Sequence, residues 1–219
     1  LEKKEKEERV MIEEVLKQLS WLGHDGFLYQ GEKTVYFDPY QISGGPPADI
    51  ILVSHEHFDH CSPEDIQKIQ KEDTVIVTEA DSAKKLSGKV QVVKPGDTIT
   101  VQGITVEAVP SYNTNKDFHV KAKGWLGFIV TLNGVRVYHP GDTDFIPEMK
   151  AIKTDIALLP VSGTYVMTAQ EAAEAAKALK PKIAIPMHYG AIVGSEEDAK
   201  TFADLLKGVV EVRILTKKG

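Results

Sequence analysis

Residues 55–60 read His-Glu-His-Phe-Asp-His and gather three imidazoles and a carboxylate within six positions. Imidazole nitrogen and carboxylate oxygen are the donors that borderline divalent cations such as Zn²⁺ favour. The cluster follows Asp49-Ile50-Ile51-Leu52-Val53-Ser54, a short apolar run with strand character, so the donors sit where a buried strand gives way to a loop. With an extended backbone through 55–57, His55 and His57 project to one side, because side chains alternate along a strand. Asp59 and His60 follow once the chain has turned and approach the same region from another direction. One strand end can thus supply two ligands to one cation and two to a neighbour. A solvated loop explains this pattern poorly, since the chain holds seven histidines in all. An interior run broken by Glu56, Phe58 and Asp59 is not a purification tag either.

Two later segments repeat the arrangement. Val135-Arg136-Val137-Tyr138-His139-Pro140-Gly141-Asp142-Thr143 places Asp142 just past a strand, after a glycine that permits a sharp turn. A carboxylate there offers two oxygens and could bridge two cations. Ile183-Ala184-Ile185-Pro186-Met187-His188-Tyr189-Gly190 puts a histidine at another strand end. Taken singly, an Asp after Gly is an ordinary turn residue and one strand-end His carries little; behind the histidine cluster, the two cease to be independent.

The elements that must position these groups are short. Leu1 to Leu19 is rich in Glu and Lys with apolar residues at 10, 12, 15, 16 and 19, which predicts an amphipathic helix whose first turns project into solvent. Residues 27–30 and 34–37 flank Gly31-Glu32-Lys33 as a hairpin, and 43–47 form a Gly/Pro loop. Ser62-Pro63-Glu64-Asp65 opens a helix to about Gln70. A buried strand at 74–78 and a short helix at 81–86 follow. Residues 90–93, 98–101 and 104–109 then predict a β meander turning at 94–97 and 102–103. Beyond a polar loop at 111–124, strands 126–132 and 135–138 meet across Asn133-Gly134, the strongest short hairpin signal available. A strand at 155–159, a helix opened by the capping box Thr168-Ala169-Gln170-Glu171 and running to about Leu179, a strand at 183–186, a helix at 196–207 and a strand at 209–215 complete the chain. Residues 20–219 thus read as one α/β domain, two mixed sheets face to face with helices outside, and residues 1–19 as a charged helix appended to it.

The order His-x-His-x-Asp-His, then Gly-Asp-Thr, then a late strand-end His resembles the metallo-β-lactamase superfamily. Trp21-Leu22-Gly23-His24, Phe37-Asp38-Pro39, Tyr138-His139-Pro140-Gly141-Asp142-Thr143-Asp144 and Pro186-Met187-His188-Tyr189-Gly190 narrow the resemblance to its ascorbate-6-phosphate-lactonase-like hydrolases. The likeness spans Ser20 to the C-terminus and implies an αββα sandwich with a dinuclear metal site on the sheet edges. Carried across, His55 and His57 would hold a first cation with a third histidine, Asp59, His60 and His188 a second, and Asp142 would bridge. The third histidine departs from the family pattern: Pro110-Ser111-Tyr112-Asn113 is followed by no histidine until His119, which leaves His119 or Asn113 to complete the first set, with His119 preferred. The resemblance also sets the Gly-His turn near the site mouth, where His24 meets a substrate anion or donates a proton. His139 would orient Asp142, and Tyr165 would line the pocket or pack.

Two adjacent cations make a shared water acidic enough to supply hydroxide near neutral pH, with Asp59 orienting it or taking its proton. The expected activity is hydrolysis of a small ester, lactone or phosphoester by two divalent cations, zinc first, with manganese or iron as substitutes. The alternatives are a phosphodiesterase of nucleotides or lipids and a metal-binding relative without turnover. Neither a Gly-x-Ser-x-Gly elbow nor a Gly-x-x-x-x-Gly-Lys loop is present. A formal charge of -6 and no basic stripe argue against nucleic acid, and no apolar run reaches the length of a membrane span. Cys61 is the single cysteine, which fits a reducing cytoplasm and excludes an intrachain disulfide. The first residue is Leu rather than Met, which leaves open a trimmed or matured N-terminus. A small-molecule partner is expected; the oligomeric state is not legible.

Overall fold

The computed structural model describes residues 2–218. Helix α1 spans Glu2–Gln18, and the expected start at Leu1 lies outside the described residues. Ile12 and Val15, one turn apart, are buried in the main core, whereas Val10 stays exposed. Leu19 leaves the helix and begins β1 (Leu19–Gly23), which pairs antiparallel with β2 (Gly26–Gln30) and through it with β3 (Thr34–Phe37). Strands β4 (Ile50–Leu52), β5 (Val75–Thr78) and β6 (Lys89–Val92) then add in parallel beyond β3. Helices α2 (Pro63–Gln67) and α3 (Ala80–Ala83) occupy the two crossovers.

The second sheet repeats this plan. Strands β7 (Thr98–Val101), β8 (Ile104–Pro110), β9 (Leu126–Leu132) and β10 (Val135–His139) form an antiparallel meander. Parallel strands β11 (Ile156–Pro160), β12 (Ile183–Met187) and β13 (Glu211–Val212) extend it, with α4 (Ala169–Leu179) and α5 (Glu196–Leu206) in the crossovers. Both sheets are therefore mixed, and helices flank them: an αββα sandwich.

Period-two alternation shows how the first sheet is shared between two cores. Phe27, Tyr29, Val35, Phe37, Ile50, Leu52 and Val77 face the second sheet, while Leu28, Tyr36, Ile51 and Ile76 pack outward with Ile66 and Ile69 of the α2 region. The capping box at Thr168 and Glu171 forms as expected and orients the buried alanine face of α4. At the β9–β10 hairpin Asn133 and Gly134 have φ of 47° and 78°, the left-handed pair such a turn demands.

Three expectations are corrected. Residues 89–92 do not open the meander; they form the edge of the first sheet beside β5, and the turn at 94–97 carries the chain across to the second sheet. The helix after Ser62 ends at Gln67, and the last strand shrinks to Glu211–Val212.

The pairing directions have one consequence for chemistry. Strands β1, β3, β4, β8, β10 and β12 all run so that their carboxyl ends meet at one edge of the sandwich. In α/β sheets that is the edge where ligands bind.

Candidate metal centre

Three imidazoles form one half of a cluster at this edge. Just past β4, Ser54 Oγ donates to Asp38 Oδ2 at 2.6 Å, so toward His55 Nδ1, 2.9 Å away, it can only accept. His55 therefore carries its proton on Nδ1 and turns a bare Nε2 toward His57 Nδ1 at 3.0 Å. His119 arrives from the 111–124 loop. Its Nδ1 donates to Asn113 Oδ1 at 3.0 Å, and Asn113 Oδ1 also accepts from the His119 backbone amide at 3.0 Å. Asn113 is itself held by Asp144, which accepts from its Nδ2 at 3.1 Å and from Thr114 N at 2.8 Å. The ring of Trp125 lies 4.7–5.5 Å from the rings of all three histidines. Donor atoms of His55, His57 and His119 lie within 4.8 Å of one another.

The other half is more deeply enclosed. After His57 the chain turns, with the amides of His60 and Cys61 both bonded to His57 O, and this swings His60 inward. Its Nδ1 donates to Asp38 Oδ2 at 2.8 Å, leaving Nε2 free toward Asp142. His188 follows β12 with φ of +60° and bonds Ser162 Oγ through Nδ1 at 2.8 Å. His24, at the tip of the β1–β2 turn, places Nε2 3.0 Å from Asp59 Oδ2, and His24, Asp59, His60 and His188 again bring donor atoms within 4.8 Å.

Asp142 joins the halves. Its Oδ2 lies 3.1 Å from His119 Nε2, and its Oδ1 lies 3.3 Å from His60 Nε2 and 3.2 Å from His188 Nε2. Gly141 makes this position reachable: its φ is +63°, and a β-carbon there would lie 2.8 Å from Leu126 O and from Ser54 Cβ.

The residues fit cations. His60 Nε2, His119 Nε2, His188 Nε2 and Asp142 Oδ1 are buried and none makes a hydrogen bond, although buried polar atoms are nearly always paired. Each opposite ring nitrogen of these histidines is pinned by a neighbour, which fixes the tautomer a metal ligand needs. Burial holds His55 and His57 below the ordinary imidazole range. At His60 and His188 burial pushes the same way but is outweighed by the carboxylates, Asp142 first, and His188 rises to about 9. Burial would raise Asp59; the His24 hydrogen bond and the His60 charge bring it down to about 2.

All the sequence-derived candidates converge here: His24, His55, His57, Asp59, His60, His119, Asp142 and His188. His24 is only 2% exposed and lies beside Asp59, deeper than a residue at the mouth. Asn113 is committed to positioning His119. His139 donates through Nε2 to Asp25 O at 2.8 Å and accepts from Gly141 N at 3.3 Å, so it reaches Asp142 only through its neighbour. Tyr165 packs edge-on against Phe118. Two carboxylates received no role from the sequence, Asp25, which it did not single out, and Asp38, which stood only within Phe37-Asp38-Pro39, because an Asp in a turn or after a strand is ordinary there.

A family model described as "Beta-lactamase superfamily domain" matches residues 18–188. A UPF0173 metal-dependent hydrolase from Thermococcus kodakarensis is 34% identical over 217 residues, covering 90% of this chain and 96% of its own. The crystal structure of a "putative metal-dependent hydrolase" from Parabacteroides distasonis superposes with a TM-score of 0.80 at 39% identity, covering 90% of this chain and 93% of that one. A diiron β-hydroxylase from Streptomyces venezuelae shares the fold alone, with 16% identity, a TM-score of 0.71 and coverage of 90% of this chain and 52% of its own. This chain belongs to the metallo-β-lactamase superfamily, among its metal-dependent hydrolases.

Proposed function

We propose that the chain hydrolyses a small ester, lactone or phosphoester with two divalent cations, zinc or a substitute such as manganese or iron. His55, His57 and His119 would hold one, Asp59, His60 and His188 the other, and Asp142 both. The observation that carries this reading is the bare, buried set of lone pairs facing the two oxygens of Asp142. Cations held there supply Lewis acidity toward the scissile carbonyl or phosphoryl oxygen and make water more acidic.

The chain's own groups do the rest. Asp59, 14% exposed, is the carboxylate of the cluster that reaches the surface, so it can orient an attacking water by accepting its hydrogen bond. Burial keeps His24 below its ordinary range, so neutral His24 donates through Nε2 to Asp59 and holds that carboxylate in place. Among the described residues no helix is long and apolar enough to cross a membrane, and the free, buried Cys61 accords with the reducing cytoplasm. A small substrate, rather than nucleic acid, suits the acidic chain.

Metal content by mass spectrometry, followed by turnover of lactone, aryl-ester and bis-aryl-phosphodiester panels, tests the reading. About two equivalents and turnover of at least one carbonyl or phosphoryl substrate class are expected. Metal without turnover on any panel would leave a binding protein, and substoichiometric metal would end the proposal.

A further inference from the structure

Beneath the second half of the cluster lies a carboxylate that the scheme above does not use. Asp25 is fully buried, and neither of its oxygens has a hydrogen-bond partner. Its neighbours are differently placed. Asp38 accepts from Ser54 N, Ser54 Oγ and His60 Nδ1, and Asp142 faces three imidazoles. Asp25 has neither a donor nor an imidazole within hydrogen-bond reach.

Its position is built rather than incidental. The β1–β2 turn has only His24 and Asp25 between its paired glycines, Gly23 and Gly26. The main chain of that turn is clamped from three sides: His24 O accepts from Trp21 Nε1 at 2.9 Å and from His188 N at 3.1 Å, and Asp25 O accepts from His139 Nε2 at 2.8 Å. The side chain is thereby held beneath the cluster, with one oxygen 3.9 Å from His60 Nδ1, on the side of that ring bonded to Asp38. A donor atom of Asp25 lies within 4.8 Å of those of Asp142 and His188.

A carboxylate stripped of water and given no donor is strongly unfavourable in a folded protein. Protonation, toward which burial pushes this carboxyl, lifts the charge but does not repair the pairing of its oxygens. A cation shared with Asp142 and His188 does.

We propose that Asp25 is a further ligand to the cation in the second half, approaching it from the turn beneath. This rests on the two-cation reading and adds a selectivity to it. With Asp25, that half offers three carboxylates, Asp25, Asp59 and Asp142, against His60 and His188. An oxygen-rich set of five suits Mn²⁺ or Fe²⁺, which accept more ligands and more oxygen than tetrahedral Zn²⁺. The first half, three imidazoles and one carboxylate oxygen, keeps the preference for zinc.

The test uses the full chain, with Asp25→Asn and Asp25→Ser beside wild type, all stripped with chelator and then titrated with Mn²⁺ or Zn²⁺. Three quantities are read: the melting temperature without metal, its rise with each cation, and the affinity of the second equivalent by calorimetry. Both variants should melt above wild type without metal, because a buried carboxyl without a hydrogen-bond partner has been removed. Both should then gain less from Mn²⁺, with the second Mn²⁺ bound about tenfold or more weakly and Zn²⁺ affected less. Variants that melt at or below wild type without metal would make Asp25 an ordinary packing residue and overturn the proposal. Unchanged second-equivalent affinities for both cations would overturn it as well. Wild type that binds no second equivalent of either cation would instead defeat the two-cation reading and this inference with it.

Discussion

The two halves of the cluster share Asp142 but are made differently. His55, His57 and His119 all have ordinary backbone conformations, and one of them comes from the polar loop at 111–124. Around the other half, His24, Asp38 and His188 all have positive φ, at 50°, 37° and 60°, in non-glycine residues. Such conformations cost on the order of 1–3 kcal/mol each and persist only where the surroundings enforce them. Here the enforcing contacts are visible: the bond from His188 N to His24 O, the three bonds into Asp38, and the main-chain clamps on the turn at 24–25. The first half is thus assembled by a loop lying on a finished fold. The second is part of the fold itself, and its geometry is set when the two sheets meet.

Four substitutions break or sharpen this contrast. Asp142→Asn should remove it altogether, weakening cations in both halves by more than the roughly 100-fold that loss of a supporting group costs; metal analysis after gel filtration would show it. His119→Ala should separate the halves, leaving about one equivalent of metal and, once metal is stripped from both proteins, a near-native melting temperature. Retention of two equivalents would remove His119 from the ligand set. Asn113→Ala and Asp38→Ala probe the supports. The first should weaken cation binding about 10–100-fold in one half only. The second should weaken both, since Asp38 holds His60 directly and His55 through Ser54. Binding isotherms resolved into two steps check this.

The smallest effect concerns the scaffold beside the second half. Asp65 accepts from the amides of Gln41 and Ile42, from Ser62 Oγ and from Lys68 Nζ. Burial raises its carboxyl, but the Lys68 and Ser62 contacts and the backbone donors outweigh burial and hold it below the usual range. Because its folded value is depressed, its contribution is present above the unfolded pKa of about 3.9 and fades as pH falls through the lower folded value. Asp65→Asn should therefore cost about 1–2 kcal/mol near neutrality. The gap from wild type should close in acid, as melting temperatures across pH would report.

How much of this could be read beforehand varied by residue. The hexapeptide announced itself through residue type and spacing, and Asp142 and His188 through their strand-end positions. His119 came from the resemblance alone, because five residues of polar loop separate it from Asn113 and no periodicity fixes their approach. The roles of Asp25 and Asp38 were invisible for a physical reason: they arise from packing between strands far apart in sequence. The turn at 94–97 misled for a related reason. Its local chemistry is the same whether it closes a hairpin or carries the chain between sheets, and only pairing with β5 decides.

The chain contains two tryptophans, and each lies beside a different half. Trp125 rests against the three histidines of the first, while Trp21 bonds the His24 carbonyl and stacks on Tyr189 at 4.8 Å, next to His188 in the second. The centre thus has an indole fluorophore at each end. Trp21→Phe should leave an emission signal that follows filling of the first half, and Trp125→Phe one that follows the second, so the order in which cations enter can be watched optically in two parallel titrations, one per variant.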